Sequence, residues 1–269
     1  MDDYFLEKIM NKDGCDIHYW VSGNKGPWLV FLHGAGADHE MFNDQLQVVS
    51  RKFKVLLWDA RGHGLSRPMG TSFTIKLLVE DLIEILDREN IDKATFIGQS
   101  MGGHTVQQVA FYYPSRVEYL VLIGCACNTM ILSKLERFYF NMTPYIIPLC
   151  PWKYLMHEIV KESSIKPEVQ NYLRKTLKKI GKRDFNKIFL ETVACYHYDK
   201  KYRINKCILL VYGETDNTGN IKKIAPTWAA KEHSCDMVKI DNASHCCNQD
   251  NPLKFNEVLM KFLSDKYSI

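Results

Sequence analysis

The stretch Ala94-Thr95-Phe96-Ile97-Gly98-Gln99-Ser100-Met101-Gly102-Gly103 decides how the rest of the chain is read. Ala94 to Ile97 is a short apolar run, of the length and bulk that suit a strand buried on both faces. The sequence then turns through Gly98, Gln99, Ser100, Met101 and Gly102. From Gly103 to Tyr113 the apolar residues Val106, Val109, Ala110 and Tyr113 recur at helical spacing, and Pro114 disfavours helical geometry in the residue before it. A strand, a G-x-S-x-G turn and a helix hold the central serine in a strained conformation, with its hydroxyl projecting at the end of a sheet. Side chains at Gly98 and Gly102 would collide with the neighbouring strand and helix.

Working outward, the same alternation recurs on both sides. Phe5 to Met10 and Cys15 to Val21 read as two strands joined by the turn Asn11-Lys12-Asp13-Gly14. Trp28 to Leu32 and Phe53 to Trp58 are continuous apolar runs and predict buried strands. Each runs into a glycine loop, His33-Gly34-Ala35-Gly36 and Asp59-Ala60-Arg61-Gly62-His63-Gly64-Leu65-Ser66. A short helix is expected over Phe42 to Val49. Thr74 can cap a second over Ile75 to Arg88, with Ile75, Leu78, Val79, Leu82, Ile83 and Leu86 on one face. Tyr119 to Ile123 is the next strand. Cys207 to Tyr212 and Met237 to Ile240 complete the strands, with helices over Ile221 to Glu232 and from Pro252, capped by Asn251, to about Ser264. Strands separated by helices pair in parallel through right-handed crossovers. The fold class is therefore α/β: a doubly wound, mostly parallel sheet of about eight strands. Residues 129–203 break the alternation with helical patterns and prolines, and predict a helical cap inserted after the sixth strand. The core domain is then 1–128 plus 204–269.

The chain has 269 residues, enough for one large α/β domain. Its composition, 46% hydrophobic and 25% charged, is that of an ordinary globular chain, and a net charge of +4 makes no case for nucleic acid as a partner. The acidic start Met1-Asp2-Asp3-Tyr4 does not read as an export signal, and no apolar run reaches membrane-spanning length. With nine cysteines, this predicts a cytoplasmic chain with mostly reduced thiols.

Ligands of open α/β sheets sit at the carboxyl ends of the strands. Ser100 falls at one such end, Asp216 at another in Gly213-Glu214-Thr215-Asp216, and His245 at a third in Asn242-Ala243-Ser244-His245. A serine hydroxyl attacks only when a base takes its proton. Neutral histidine suits that task, and a carboxylate fixes its tautomer. Ser100, Asp216 and His245 are the candidate catalytic residues. Glu214 and Asp241 compete for the acid, and His233 for the base. His33, His63 and His104 read as structural.

With these five motifs in order, the chain resembles the α/β-hydrolase fold family from about Asp16 to Leu263. It is similar to its cap-bearing branch of small esterases, lactonases, perhydrolases, carbon–carbon bond hydrolases and monoacylglycerol lipases. The resemblance implies an oxyanion hole made by the backbone amides of Ala35 and Met101, with Gly34 and Gly36 letting substrate approach the backbone. It implies hydrolysis of a small to medium, mostly apolar ester, lactone or thioester through an acyl-enzyme. Carbon–carbon cleavage or perhydrolysis on the same triad, and a ligand receptor with slow turnover, are the alternatives. No cofactor and no metal are implied, and the partner is a small-molecule substrate. The fold's dehalogenases and epoxide hydrolases carry aspartate where this chain has Ser100, so those reactions are excluded. Phe138 to Tyr154 carries more aromatics than one small helix can bury, and predicts that Met130, Met142 and Trp152, with some of those rings, roof an apolar pocket. The basic stretch Lys161 to Lys187 reads as a solvated face, with contact to an anionic membrane surface as the alternative. Cys246 and Cys247 read as small packing residues beside His245, with a redox-sensitive thiol as the alternative.

Overall fold

The structure, a computed structural model, describes residues 5–22 and 25–268. Eight strands form one sheet in the order β1-β2-β4-β3-β5-β6-β7-β8. They are β1 Phe5–Lys12, β2 Cys15–Ser22, β3 Trp28–Leu32, β4 Lys54–Trp58, β5 Ala94–Gln99, β6 Val117–Ile123, β7 Cys207–Gly213 and β8 Cys235–Ile240. Strands β3 to β8 run parallel, while β1–β2 and β2–β4 are antiparallel. The hairpin closes through Asp13 and Gly14 alone, with φ of 52° and 75°. Two left-handed residues twist a two-residue loop to match the strands it joins, and Asp-Gly suits that turn.

The helices are α1 Asn43–Val49, α2 Ile75–Arg88, α3 Met101–Tyr112, α4 Lys134–Ile146, α5 Trp152–Ser163, α6 Pro167–Ala194, α7 Ile221–Lys231, α8 Cys247–Asp250 and α9 Pro252–Tyr267. The Oγ1 of Thr74 accepts from the Leu77 amide at 3.0 Å, which fixes where α2 starts. The six apolar residues of its inner face are all buried. Each contributes about 1.5–3 kcal/mol on leaving water. Asp81 on the same face is fully buried and takes a two-pronged ion pair from Arg61, at 2.6 and 2.8 Å. That pair ties the loop after β4 to α2.

Helices α4, α5 and α6 lie between β6 and β7. In α6, Gly181 has φ 76°, a conformation that breaks the helix into two limbs. Three contacts tie this insertion to loops at the carboxyl ends of the strands. Tyr172 Oη donates to the Asp38 carboxylate at 2.8 Å. The Cys246 amide donates to the Ser163 carbonyl at 2.8 Å. Ser164 Oγ donates to Asp250, whose other oxygen accepts from the Ser244 amide at 2.8 Å.

Several boundaries differ from those read off the sequence. Strand β1 runs on through Asn11 and Lys12 of the expected turn, β6 and β8 each begin two residues early, and α9 runs on to Tyr267. Strand β5 continues through Gly98 and Gln99, because both remain in register with Leu122 and Ile123 of β6. The helix starts at Met101, two residues early, so the whole reversal is made at Ser100.

Candidate active site

Ser100 sits between β5 and α3 with φ 49° and ψ −111°. A non-glycine residue with such a backbone costs about 1–3 kcal/mol, and the surrounding packing has to impose it. Here the two flanking glycines do so. A Cβ on Gly98 would lie 2.5 Å from the carbonyl of Gly102, and one on Gly102 would lie 2.6 Å from the Leu32 carbonyl carbon. Backbone cannot move aside as a side chain can, so strand and helix approach this closely only through glycine. The Ser100 amide donates to the Ile123 carbonyl at 2.9 Å, which anchors the turn to the next strand.

His245 lies in the loop after β8 and Asp216 in the loop after β7. Nδ1 of His245 lies 3.0 Å from Oδ2 of Asp216. The other carboxylate oxygen accepts from the Thr218 amide at 2.8 Å. Both side chains are buried. Burial pushes the Asp216 carboxyl up, but the charge and hydrogen bond of His245 and the bonds of Thr218 outweigh it and hold it below the ordinary carboxylate range. The imidazole packs against Gly124, where a Cβ would sit 3.1 Å from Nδ1. Nε2 of Gln99, next to Ser100, donates to the His245 carbonyl at 3.2 Å. The structure therefore brings Asp216 and His245 into one hydrogen bond and sets the Ser100 turn beside their loop. Ser100 and His245 are not hydrogen-bonded to each other.

The rival groups lie elsewhere. Glu214 and Asp241 are exposed, and both pair with Lys239, at 3.0 and 3.1 Å. His233 is exposed. The Nε2 of His33 accepts from the Ala60 amide at 3.0 Å, which joins the two glycine loops. Buried beside it, His63 is pushed down to about 3 by burial and then by the neighbouring His33 charge. His104 is held by Asn128 at 2.5 Å.

The loop after β3 lies across from Ser100. A Cβ on Gly34 would come 3.3 Å from the Ser100 Cβ and collide with the Gln99 amide oxygen. Gly36, with φ 86°, faces Leu177 and Phe185 of α6. Ala35 is half-buried between them, and Met101, at the amino end of α3, is buried. The first amides of a helix have no partner within it, so α3 points unpaired N–H groups and a positive dipole end toward the Ser100 turn.

The residues expected to roof a pocket separate. Met130 lines a cavity of about 380 Å³ between the start of the insertion and α7, with Cys127, Leu132, Tyr196 and Ile224. Trp152 packs on Phe185, ring centroids 5.6 Å apart. Met142 is half-buried on α4 and lines no part of that cavity. The rings of Phe138, Tyr139, Tyr145 and Tyr154 are exposed, while Phe140 of the same stretch is half-buried with its ring 5.4 Å from Tyr196 of the cavity wall. Their helices meet the core through other residues, which composition does not reveal. Cys246 and Cys247 are fully enclosed, and burial pushes both thiols far up, as expected of packing residues.

Two residues near the site carry no sequence signal. Gln99 links the Ser100 turn to the His245 loop, and Asp250 clamps that loop to the insertion. Only the fold brings their partners to them.

Comparison with known proteins agrees with this architecture. Residues 27–144 match the sequence model of the alpha/beta hydrolase fold. A 3-oxoadipate enol-lactonase of Acinetobacter baylyi is 36% identical over 121 residues, 45% of each chain. An sn-1-specific diacylglycerol lipase of Danio rerio is 27% identical over 258 residues, 87% of this chain and 78% of the lipase. The chain thus spans less than half the length of the enol-lactonase it matches. A thermophilic esterase from Thermogutta terrifontis superposes with a TM-score of 0.82 at 17% identity, over 98% of this chain and 99% of the esterase. The sheet order and the superposition show that the chain has the α/β-hydrolase fold, and residues 27–144 resemble that family in sequence.

Proposed function

We propose that the chain is a serine hydrolase that cleaves a small to medium, mostly apolar carboxylic ester, lactone or thioester. The observation that carries this reading is the 3.0 Å bond between His245 and Asp216 beside the strained Ser100 turn. Ser100 Oγ attacks the carbonyl carbon as His245 Nε2 takes its proton. Asp216 accepts from Nδ1–H, keeps Nε2 free to act as base, and stabilises the imidazolium that forms. The developing alkoxide sits between the amides of Ala35 and Met101, where each donor contributes a few kcal/mol. His245 then gives its proton to the leaving alcohol, and the acyl group stays on Ser100. Water, deprotonated by the same histidine, releases it. The missing bond between Ser100 and His245 fits this scheme, because such contacts are often long before substrate is bound.

The helical insertion, residues 129–203, acts as a cap. Leu177 and Phe185 close the space in front of Gly36, and apolar walls favour uncharged acyl groups. The enol-lactonase and esterase likenesses support lactones and esters as the substrate class. Straight-chain p-nitrophenyl esters test the reading. kcat/KM is expected to rise with acyl length, peak at short to medium chains, and fall where the closed cap stops longer ones. A peak at long, emulsified triglycerides, or a flat and very low profile, overturns it.

A further inference from the structure

The helices of the insertion bury apolar faces, with one exception. In α6, Val169, Leu173, Leu177, Ile180, Phe185 and Ile188 are buried. In α4 no residue is buried. Leu135, Phe138, Tyr139, Tyr145 and Ile146 are 63, 59, 62, 70 and 49% exposed, and Leu149, in the turn that follows, is 82% exposed. The positions 135, 138/139, 145/146 and 149, with half-buried Met142 in the middle turn, recur every three or four residues, so they form one stripe along one side of the helix. The inward side carries Glu136, whose carboxylate accepts from Asn220 at 2.9 Å and lies 3.6 Å from Lys223. The amphipathic pattern is intact, but its apolar side faces water. A continuous apolar strip of this length marks an interaction surface.

The charges around the stripe say what covers it. Over residues 131–161 the exposed charged side chains are Lys134, Arg137, Lys153 and Lys161, all cationic. The two acids of the segment, Glu136 and Glu158, are half-buried. A second copy is a poor occupant. A two-fold contact brings the same patch against itself, and these cations would meet without an exposed acid to pair them. An anionic lipid surface suits both features. Leucine, phenylalanine and tyrosine settle at the boundary of headgroups and acyl chains, while lysine and arginine reach the phosphates.

We propose that α4 and the turn after it dock the protein on an anionic membrane surface, with the stripe from Leu135 to Leu149 entering the headgroup layer. The docking places the insertion, and not the far edge of the sheet, against the lipid. It goes beyond the hydrolase reading and stands or falls separately from it, since it is measured as binding.

The test is flotation of the full chain with vesicles of phosphatidylcholine alone and of an equal mixture with phosphatidylglycerol. The protein is expected to float with the mixed vesicles only, and to be released as salt rises. Partitioning should fall at least about tenfold in Leu149→Asp and in Phe138→Asp. It should fall about fivefold for each cation removed in Lys134→Gln and Arg137→Gln. All four positions are on the surface, so thermal unfolding and kcat/KM on a short, water-soluble ester should stay at the parent values. Failure to float overturns the proposal. So does equal flotation with neutral vesicles. A dimer in solution that Leu149→Asp dissolves, without vesicle binding, gives the stripe to a second copy and also overturns it.

Discussion

Asp216→Asn exchanges one carboxylate oxygen for an amide nitrogen and keeps the shape of the side chain. In the parent, one oxygen accepts from His245 Nδ1 at 3.0 Å and the other from the Thr218 amide at 2.8 Å. An amide has a single oxygen to accept with. If that oxygen faces Thr218, the nitrogen donates to Nδ1, the imidazole proton moves to Nε2, and no lone pair is left for the Ser100 hydroxyl. If it faces His245, the amide nitrogen meets the Thr218 N–H, and two buried donors oppose each other at a cost of about 1–3 kcal/mol. In neither orientation does a full negative charge stabilise the imidazolium. The expected result is a fall in kcat of about 10,000-fold with KM changed little, equivalent to about 5.5 kcal/mol of transition-state stabilisation. Saturation kinetics on p-nitrophenyl butyrate measure it, with thermal unfolding as the control for an intact fold. Turnover within tenfold of the parent, above all beside an inactive Glu214→Gln or Asp241→Asn, would refute the reasoning and move the acid elsewhere.

Two further outcomes concern the frame that holds the site. Gly98→Ala places a Cβ 2.5 Å from the backbone of Gly102. Overpacking of this kind costs about 2–3 kcal/mol, so Tm should fall by about 5–10 °C; an unchanged Tm would show that the turn has room to spare. His39 Nδ1 lies 2.9 Å from the fully buried Asp59 carboxylate, under the Trp20 ring at 3.8 Å. Burial pushes the imidazole down, but the bond and charge of Asp59, with Asp38 and Glu40, outweigh it and hold it above its ordinary value. A raised histidine contributes stability that is complete below its unfolded value, about 6.5, and is lost as pH rises through the folded one. Burial likewise pushes Asp59 up, and His39, His33 and the Leu65 amide more than reverse it, so its own contribution is lost only in acid. Unfolding curves should therefore show Tm declining as pH rises above about 6.5, and His39→Gln should flatten that decline. An identical decline in the variant would place its origin in another group.

Much of the frame is legible in the residues. Both faces of β3 to β6 are covered, so their sequences are nearly unbroken apolar runs that need no partner to be recognised. Thr74 and Asn251 mark helix starts because a capping side chain works within three residues of itself. What depends on distant partners is less legible. Gly98 reads as a turn residue, yet it is a strand residue made small by the approach of Gly102. Asp216, Glu214 and Asp241 are three carboxylates near strand ends, and only burial against Lys239 pairing separates the first from the others. The aromatic stretch Phe138 to Tyr154 has the composition of a pocket roof, but composition does not say which side of α4 meets the core.

The most direct measurement is to treat the protein with a fluorophosphonate and locate the adduct by peptide mass spectrometry, with Ser100→Ala alongside. A nucleophilic serine activated by His245 predicts a single adduct, on Ser100. In Ser100→Ala it predicts no adduct and no ester hydrolysis, at an unchanged unfolding temperature. An adduct on another residue, or a Ser100→Ala protein that still hydrolyses esters at near the parent rate, would contradict it.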